Sequence, residues 1–248
     1  MAEAEEPIAT SVHDYVPSLW HVVGQFSARV ALTALVDQFH NDTIAGRWPR
    51  YPSVLITGKM GMGRRHLAQA LHHAFGNTEW KEPAHVLGTG DDAAQFWASI
   101  TESSTIFVPH VTRLPCTTLG QVVRLLREGC VACSSPAQND STLILNNLIV
   151  LSAEKDELMS HDVLKHITLR CDLVDYSNDH IFQILRQRIT ALNWQASDET
   201  LRLISQTAKN SPAKAMTMLQ YSYMMWRAED REDRITVTHA KQAVVLHS

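Results

Sequence analysis

No run of apolar residues in this 248-residue chain approaches the roughly 20 that span a bilayer, so no transmembrane helix is predicted. The opening residues Ala2 to Glu6 are acidic and lack the basic-then-apolar order of a signal peptide. Cysteine is scarce. Four residues in a chain of this length do not make a disulfide framework. Neither sign of charge dominates: 22 Lys and Arg stand against 26 Asp and Glu, a formal net charge of −4. That balance argues against a globally basic nucleic-acid binder and leaves only a local basic patch open. With 45% apolar and 19% charged residues the composition also argues against disorder. It supports one large core or two small ones. The expectation is a cytoplasmic protein without membrane contact.

The apolar pattern divides the chain. Residues 1–14 are polar and read as a flexible N-terminal segment. Over residues 15–176, short apolar runs alternate with amphipathic stretches. The runs are Val54–Thr57, Ala84–Leu87, Thr105–Val108, Asn147–Ser152 and Ile167–Leu173, and they predict five buried strands. Between them, helices are predicted from Phe26 to about Asn41, from Arg64 to a C-cap at Gly76, from about Asp91 to Thr101, and from Pro115 to about Glu128 with Leu119, Val122, Val123 and Leu126 inward. Strands alternating with helices imply a parallel sheet covered on both faces. Over residues 177–248 the pattern is helical only. Ile181, Ile184, Leu185, Ile189 and Leu192 form one stripe, Ser197 caps the next helix, and Ser211-Pro212 opens a third with Ala215, Leu219, Tyr223 and Trp226 inward. Thr238 is placed to cap the last. The predicted class is α/β: a P-loop core with a five-stranded parallel sheet, followed by a small all-helical lid domain.

The segment that carries chemistry is Gly58-Lys59-Met60-Gly61-Met62-Gly63-Arg64-Arg65. Gly58 and Gly63 have the spacing of the outer glycines in G-x-x-x-x-G-K-[ST], with Gly61 between them. Such a loop lets successive backbone N–H groups curl round phosphate oxygens at a helix N-terminus. The lysine then reaches the outer phosphates and the hydroxyl ligates magnesium. Here Arg64 takes the lysine position and Arg65 the hydroxyl position. Arginine keeps the charge on a longer planar fork, but a guanidinium has no lone pair for Mg²⁺. Gly58, Gly61, Gly63, Arg64 and Arg65 are therefore a degenerate phosphate loop, able to attract an anion without building a metal–nucleotide site. Two cations at a helix start oppose its dipole, which favours a bound anion or an acidic partner there.

Around this loop the sequence resembles RuvB-type AAA+ ATPases. Val23-Gly24-Gln25 resembles the family's V/I-G-Q box, and Gly90-Asp91-Asp92-Ala93-Ala94 its G-D-L-A-A segment. Ile106 to Leu114 resembles the Walker B strand, Asn147 to Ala153 the sensor-1 strand with Ser152 at the polar position, and Asn210-Ser211-Pro212-Ala213-Lys214 the G-T-P-R segment opening the sensor-2 helix. The resemblance runs from about residue 17 to 246 and implies an AAA+ core with a helical lid. Carried over position by position, it implies loss. The Walker B aspartate and glutamate fall on Pro109 and His110, and the sensor-2 arginine on Ala213 beside Lys214. The arginine finger falls around Leu164-Lys165-His166, where Lys165 is the one substitute. The resemblance thus implies no catalytic residues, no metal site, and ATP or ADP, if bound, held without hydrolysis. The family's winged-helix domain is expected to be missing, since the sequence stops at Ser248.

Other signals have plainer readings. Cys130-Val131-Ala132-Cys133 follows a helix instead of opening one and lacks a second pair, so core packing is expected over redox or zinc chemistry. Adjacent His72 and His73 point about 100° apart on a helix and are expected on the solvated surface. Met216, Met218, Met224 and Met225 read mainly as core filling, with an adaptable partner surface as the alternative. Three functions stay open. The first is a pseudo-ATPase adaptor or regulatory subunit that docks onto a protein partner, another AAA+ subunit or a second copy, with DNA reached only indirectly or weakly. The second is an ATPase with unusual site residues in DNA recombination or repair. The third is a DNA-binding accessory with a basic face.

Overall fold

The computed structural model describes residues 15–83, 95–135, 138–155, 159–229 and 233–247, with backbone alone for 132–135, 138–143 and 247. Two compact units make up the described chain: Ser18–Met60 with Arg64–Leu173, and Val174–Ser248 with Gly61–Gly63 and the described part of Met1–Pro17.

The first unit is an α/β layer structure. Its elements are α1 (Phe26–Ile44), β1 (Ser53–Thr57), α2 (Arg64–Ala74), β2 (Glu79–Lys81), β3 (Ser104–Val108), α3 (Cys116–Glu128), β4 (Cys130–Ser135), β5 (Gln138–Ile144), β6 (Leu148–Ala153), α4 (His161–Leu164) and β7 (Leu169–Asp172). The expected five-stranded parallel sheet is present, in the order β2-β3-β6-β1-β7. Strands β1, β3 and β6 are buried along their whole length, which is why they read as continuous apolar runs. Register is set by pairs such as Leu55 with Leu151 and Ile106 with Ile149. It brings Thr57, Val108, Ala153 and Asp172 to one edge, so that the segments after four parallel strands leave together. In open α/β sheets that carboxyl edge is where ligands bind.

The first unit also contains elements that the apolar pattern does not mark. Beside β3 stands Glu79–Lys81, a polar segment without an apolar run; it is an edge strand, with Trp80 stacked on Phe107 at 5.0 Å. The strand expected over Ala84–Leu87, and residues 91–94 of the helix expected after it, lie outside the described residues; residues 95–98 are helical. The segment around Cys130-Val131-Ala132-Cys133 follows α3, as the sequence indicates. It is the first strand of an antiparallel hairpin, β4 with β5. On α3, Val122 is buried as expected together with Thr118 and Leu125, while Leu119, Val123 and Leu126 are half-buried against the same core.

The second unit contains α5 (Asn178–Ala191), α6 (Asp198–Thr207), α7 (Pro212–Glu229) and α8 (Val237–His247). Ser177 closes a capping box on α5: its Oγ accepts from the His180 N–H at 3.1 Å, and its own N–H donates to His180 Nδ1 at 3.4 Å. Ser197 caps α6 by accepting from the Thr200 N–H at 3.1 Å. Helix α8 starts at Val237, ahead of the expected Thr238 cap. Its entry is fixed by the Thr236 N–H, which donates to buried His239 Nδ1 at 3.0 Å. The core is built from Ile181, Leu185, Leu201, Ile204, Ala215 and Leu219, each large aliphatic side chain contributing about 1.5–3 kcal/mol by burial. Met216 and Met218 join it, whereas Met224 is exposed. Tyr223 is only half-buried, its ring stacked on Trp194 at 3.6 Å. Arg188, buried among these helices, donates to the Tyr15 carbonyl and lies over its ring at 4.7 Å.

Candidate functional site

The loop after β1 turns on three glycines with positive φ. Gly58 has φ 151°, and a Cβ there would lie 2.9 Å from Leu173 Cβ, so only glycine fits. Gly61 and Gly63 stand at φ 82° and 84°. Within the second unit, the Gly61 carbonyl accepts from the Ala213 N–H at 3.2 Å, and the Met62 carbonyl from the Tyr176 hydroxyl at 3.4 Å. The expected sensor-2 position, Ala213, thus supplies a backbone bond and no charge. Lys214 directs its N–H to Ser211 Oγ at 3.3 Å.

The two arginines after the loop have opposite fates. Arg65 is exposed and engaged by Glu82, at 2.5 Å and 3.0 Å. Arg64, the first residue of α2, is only 8% exposed, and its buried η1 nitrogen has no hydrogen-bond partner. Burial lowers its pKa from the usual arginine value; Glu154 opposes that shift and Arg113 adds to it. The Arg64 guanidinium therefore sits within electrostatic reach of the ends of β3 and β6.

At those ends stand the positions that the family resemblance assigns to magnesium and water activation. Pro109 follows β3 and has no side-chain ligand to offer. His110 adopts a left-handed conformation, φ 49° and ψ 47°, and its N–H donates to buried Ser152 Oγ at 3.3 Å. Its imidazole pKa is lowered by burial, then by Arg64 and Arg113, with Glu154 opposing. The ring is therefore neutral near pH 7. Arg113 pairs with Glu154 at 3.5 Å. Arg113 and Glu154 were given no role in the sequence reading; their only signal was position, one at the end of the Walker B-like segment and one after the sensor-1-like strand. On β7, Asp172 accepts from Thr57 Oγ1. Lys165, expected near the finger position, is tied to Asp162 at 2.6 Å.

The corner formed by Arg64, His110, Arg113 and Ser152 offers donors and positive charge, with Glu154 as its acid. Such a set suits a phosphate or carboxylate oxygen and not a hard divalent cation, which needs several oxygen ligands. Among the described residues, no three His, Cys, Asp or Glu side chains converge as a metal-ligand set.

Of the remaining signals, Cys171 and His72 are packed in the core, and the Cys133 side chain lies outside the described residues. Cys171 is buried, and burial with the adjacent Asp172 pushes its thiol up to about 12. Cys130 is half-buried and Cys116 exposed. His72 is not on the solvated surface: it is buried, with Nδ1 2.8 Å from Thr105 Oγ1 and its ring edge-on to Trp80. His73 beside it is exposed.

No protein-family model and no curated protein sequence matches the chain. Solved structures do. A proline-to-glycine variant of Thermotoga maritima RuvB superposes with a TM-score of 0.76 at 16% identity, covering 94% of this chain and 73% of that one. The Thermotoga maritima RuvB Holliday junction branch migration motor gives 0.72 at 16% identity, covering 92% and 71%. The Aeropyrum pernix ORC2 protein, solved in ADPNP–ADP complexes, gives 0.65 at 15% identity, covering 95% and 71%. Similarity at this identity is similarity of fold. The chain shares the fold of RuvB and ORC2, a parallel α/β core followed by a helical C-terminal part.

Proposed function

We propose that this chain is a RuvB-like AAA+ pseudo-ATPase, a non-hydrolysing adaptor or regulatory subunit of a cytoplasmic protein assembly. The observation that carries this reading is the carboxyl edge of the sheet. There Pro109 and His110 replace the two acids that AAA+ chemistry needs, and Arg65, in the place of the magnesium-binding hydroxyl, is spent on Glu82. Removing one well-placed electrostatic stabiliser costs about 10²–10³ in rate. Such losses are not additive, yet one or two bring hydrolysis near background. The lowered pKa of His110 leaves it a usable base, but a base without metal-bound phosphate before it does little.

An adaptor needs a surface, and α1 offers one. Phe26 and Val30, one turn apart on the same face, are 69% and 50% exposed. Such exposed apolar pairs are a feature of protein contacts. The partner is a protein, another AAA+ subunit or a second copy, and DNA is reached through it. No described helix is long and apolar enough to cross a membrane.

The fold of a branch migration motor favours one second reading, an ATPase with unusual site residues in DNA recombination or repair. Steady-state phosphate release from Mg-ATP by the purified chain separates the two. Release at the buffer rate supports the adaptor. Saturable release, abolished by Gly63→Asp, establishes the ATPase.

A further inference from the structure

A buried cation without a partner is costly unless something completes it. Leaving a charged donor desolvated and unbonded is among the least favourable arrangements in a protein interior. Arg64 is in that situation: it is 8% exposed, with η1 buried and unbonded, at the N-terminal residue of an 11-residue helix. The helix start adds positive potential and free N–H groups. Nearby Arg113 supplies a second guanidinium and His110 a neutral imidazole, and the one acid facing them, Glu154, is occupied by Arg113 at 3.5 Å. Every group in this corner except Glu154 asks for an anion.

We propose that the corner formed by Arg64, His110, Arg113 and Ser152 binds the phosphate chain of a nucleotide, or free pyrophosphate, without a divalent metal, the anion displacing the Glu154 carboxylate from Arg113. This rests on the reading of the loop as a phosphate loop that no longer serves hydrolysis, and it adds the species bound and the role of magnesium. Two guanidinium groups provide the charge compensation for which a phosphate chain otherwise recruits a metal. Magnesium works against this site twice. It neutralises the chain before the arginines meet it, and the dication meets two fixed positive charges with no uncommitted carboxylate among the described residues of the corner. Glu154 then acts as an internal competitor that sets the phosphate concentration at which the corner fills. Occupancy exchanges an intramolecular ion pair at the end of β6 for an intermolecular one, which couples phosphate level to the surface around Arg113.

The test is calorimetric titration of the full chain with ATP, ADP and pyrophosphate, first with EDTA and then with excess magnesium chloride. Binding in EDTA, weakened about tenfold or more by magnesium, supports the proposal. Arg64→Ala weakens it by about 10- to 100-fold, the effect of losing one charge-assisted contact. Glu154→Gln, a surface change that leaves the core untouched, tightens binding, and Arg124→Ala, an exposed cation of α3 paired with Glu128, leaves it unchanged. Heat from ATP and not pyrophosphate identifies the nucleotide as the source of the phosphate; equal heats identify the phosphate chain alone. No heat from any of the three in EDTA overturns the proposal while leaving the adaptor reading intact. Binding that requires magnesium overturns the proposal, and the adaptor reading falls with it only if phosphate is then released from Mg-ATP.

Discussion

The backbone N–H of His110 donates to the Oγ of Ser152 at 3.3 Å, tying the turn after β3 to the last residues of β6. That bond fixes His110 in a left-handed conformation that non-glycine residues seldom adopt. It also holds the imidazole where burial, and then Arg64 and Arg113, lower its pKa. Ser152→Ala removes the acceptor and leaves a donor without its partner. The expected loss is about 1–2 kcal/mol, read as a lower denaturant midpoint with an unchanged slope. A midpoint equal to wild type would show that the bond does not order the turn.

Arg64 reverses the usual expectation for a buried side chain. Truncating a core residue normally destabilises, but replacing a buried guanidinium whose Nη1 has no hydrogen-bond partner by an apolar group of similar length removes a desolvation cost. Arg64→Met is expected to stabilise the metal- and phosphate-free chain by about 1–3 kcal/mol. Urea denaturation in EDTA and without phosphate measures it. Destabilisation would mean that Arg64 is satisfied by contacts other than a ligand.

Gly58 is constrained from both sides, by its φ of 151° and by Leu173 Cβ at 2.9 Å from where its own Cβ would be. Gly58→Ala is expected to cost about 1–3 kcal/mol. Gly76, with no atom within 4 Å, carries only the positive-φ cost, so Gly76→Ala costs less, about 1 kcal/mol. Paired thermal melts of the two variants test the ranking.

His72 predicts an acid limb of stability. Its pKa is lowered by burial, with His73 adding to the shift, while in the unfolded chain it titrates near the ordinary value of 6.5. Between the two values the unfolded state holds the extra proton, so stability rises with pH there. The contribution is fully present above about pH 6.5 and is lost as pH falls below it. His72→Gln, which can keep a bond to Thr105, is expected to flatten that limb. The comparison is of stability against pH for the two chains.

The strands that were legible in the sequence were those buried on both faces: Val54–Thr57, Thr105–Val108 and the run before Ala153 carry their burial as continuous apolar residues. Ser197 was legible because a cap is a local device. What was missed depends on neighbours distant in sequence. Glu79–Lys81 is a strand because β3 lies beside it, and its composition gives no hint. His72 is buried because Thr105, 33 residues on, accepts or donates at its Nδ1. In the site, the glycine spacing and the replaced acids were readable position by position. The contrast between Arg64 and Arg65 was not, since it follows from Glu82 engaging one and from burial leaving Nη1 of the other without a hydrogen-bond partner. Arg113 and Glu154 belong to the site only through the register of β3 against β6.

The central claim is the absence of hydrolysis, and a single-turnover experiment tests it most directly. The chain is placed in excess over labelled Mg-ATP, so that even one cleavage per several chains is seen. The account predicts phosphate release at the rate of buffer alone, with Gly63→Asp and wild type superimposable. Release above buffer that Gly63→Asp or Arg64→Ala abolishes would contradict it and establish an ATPase built without the acids at the end of β3.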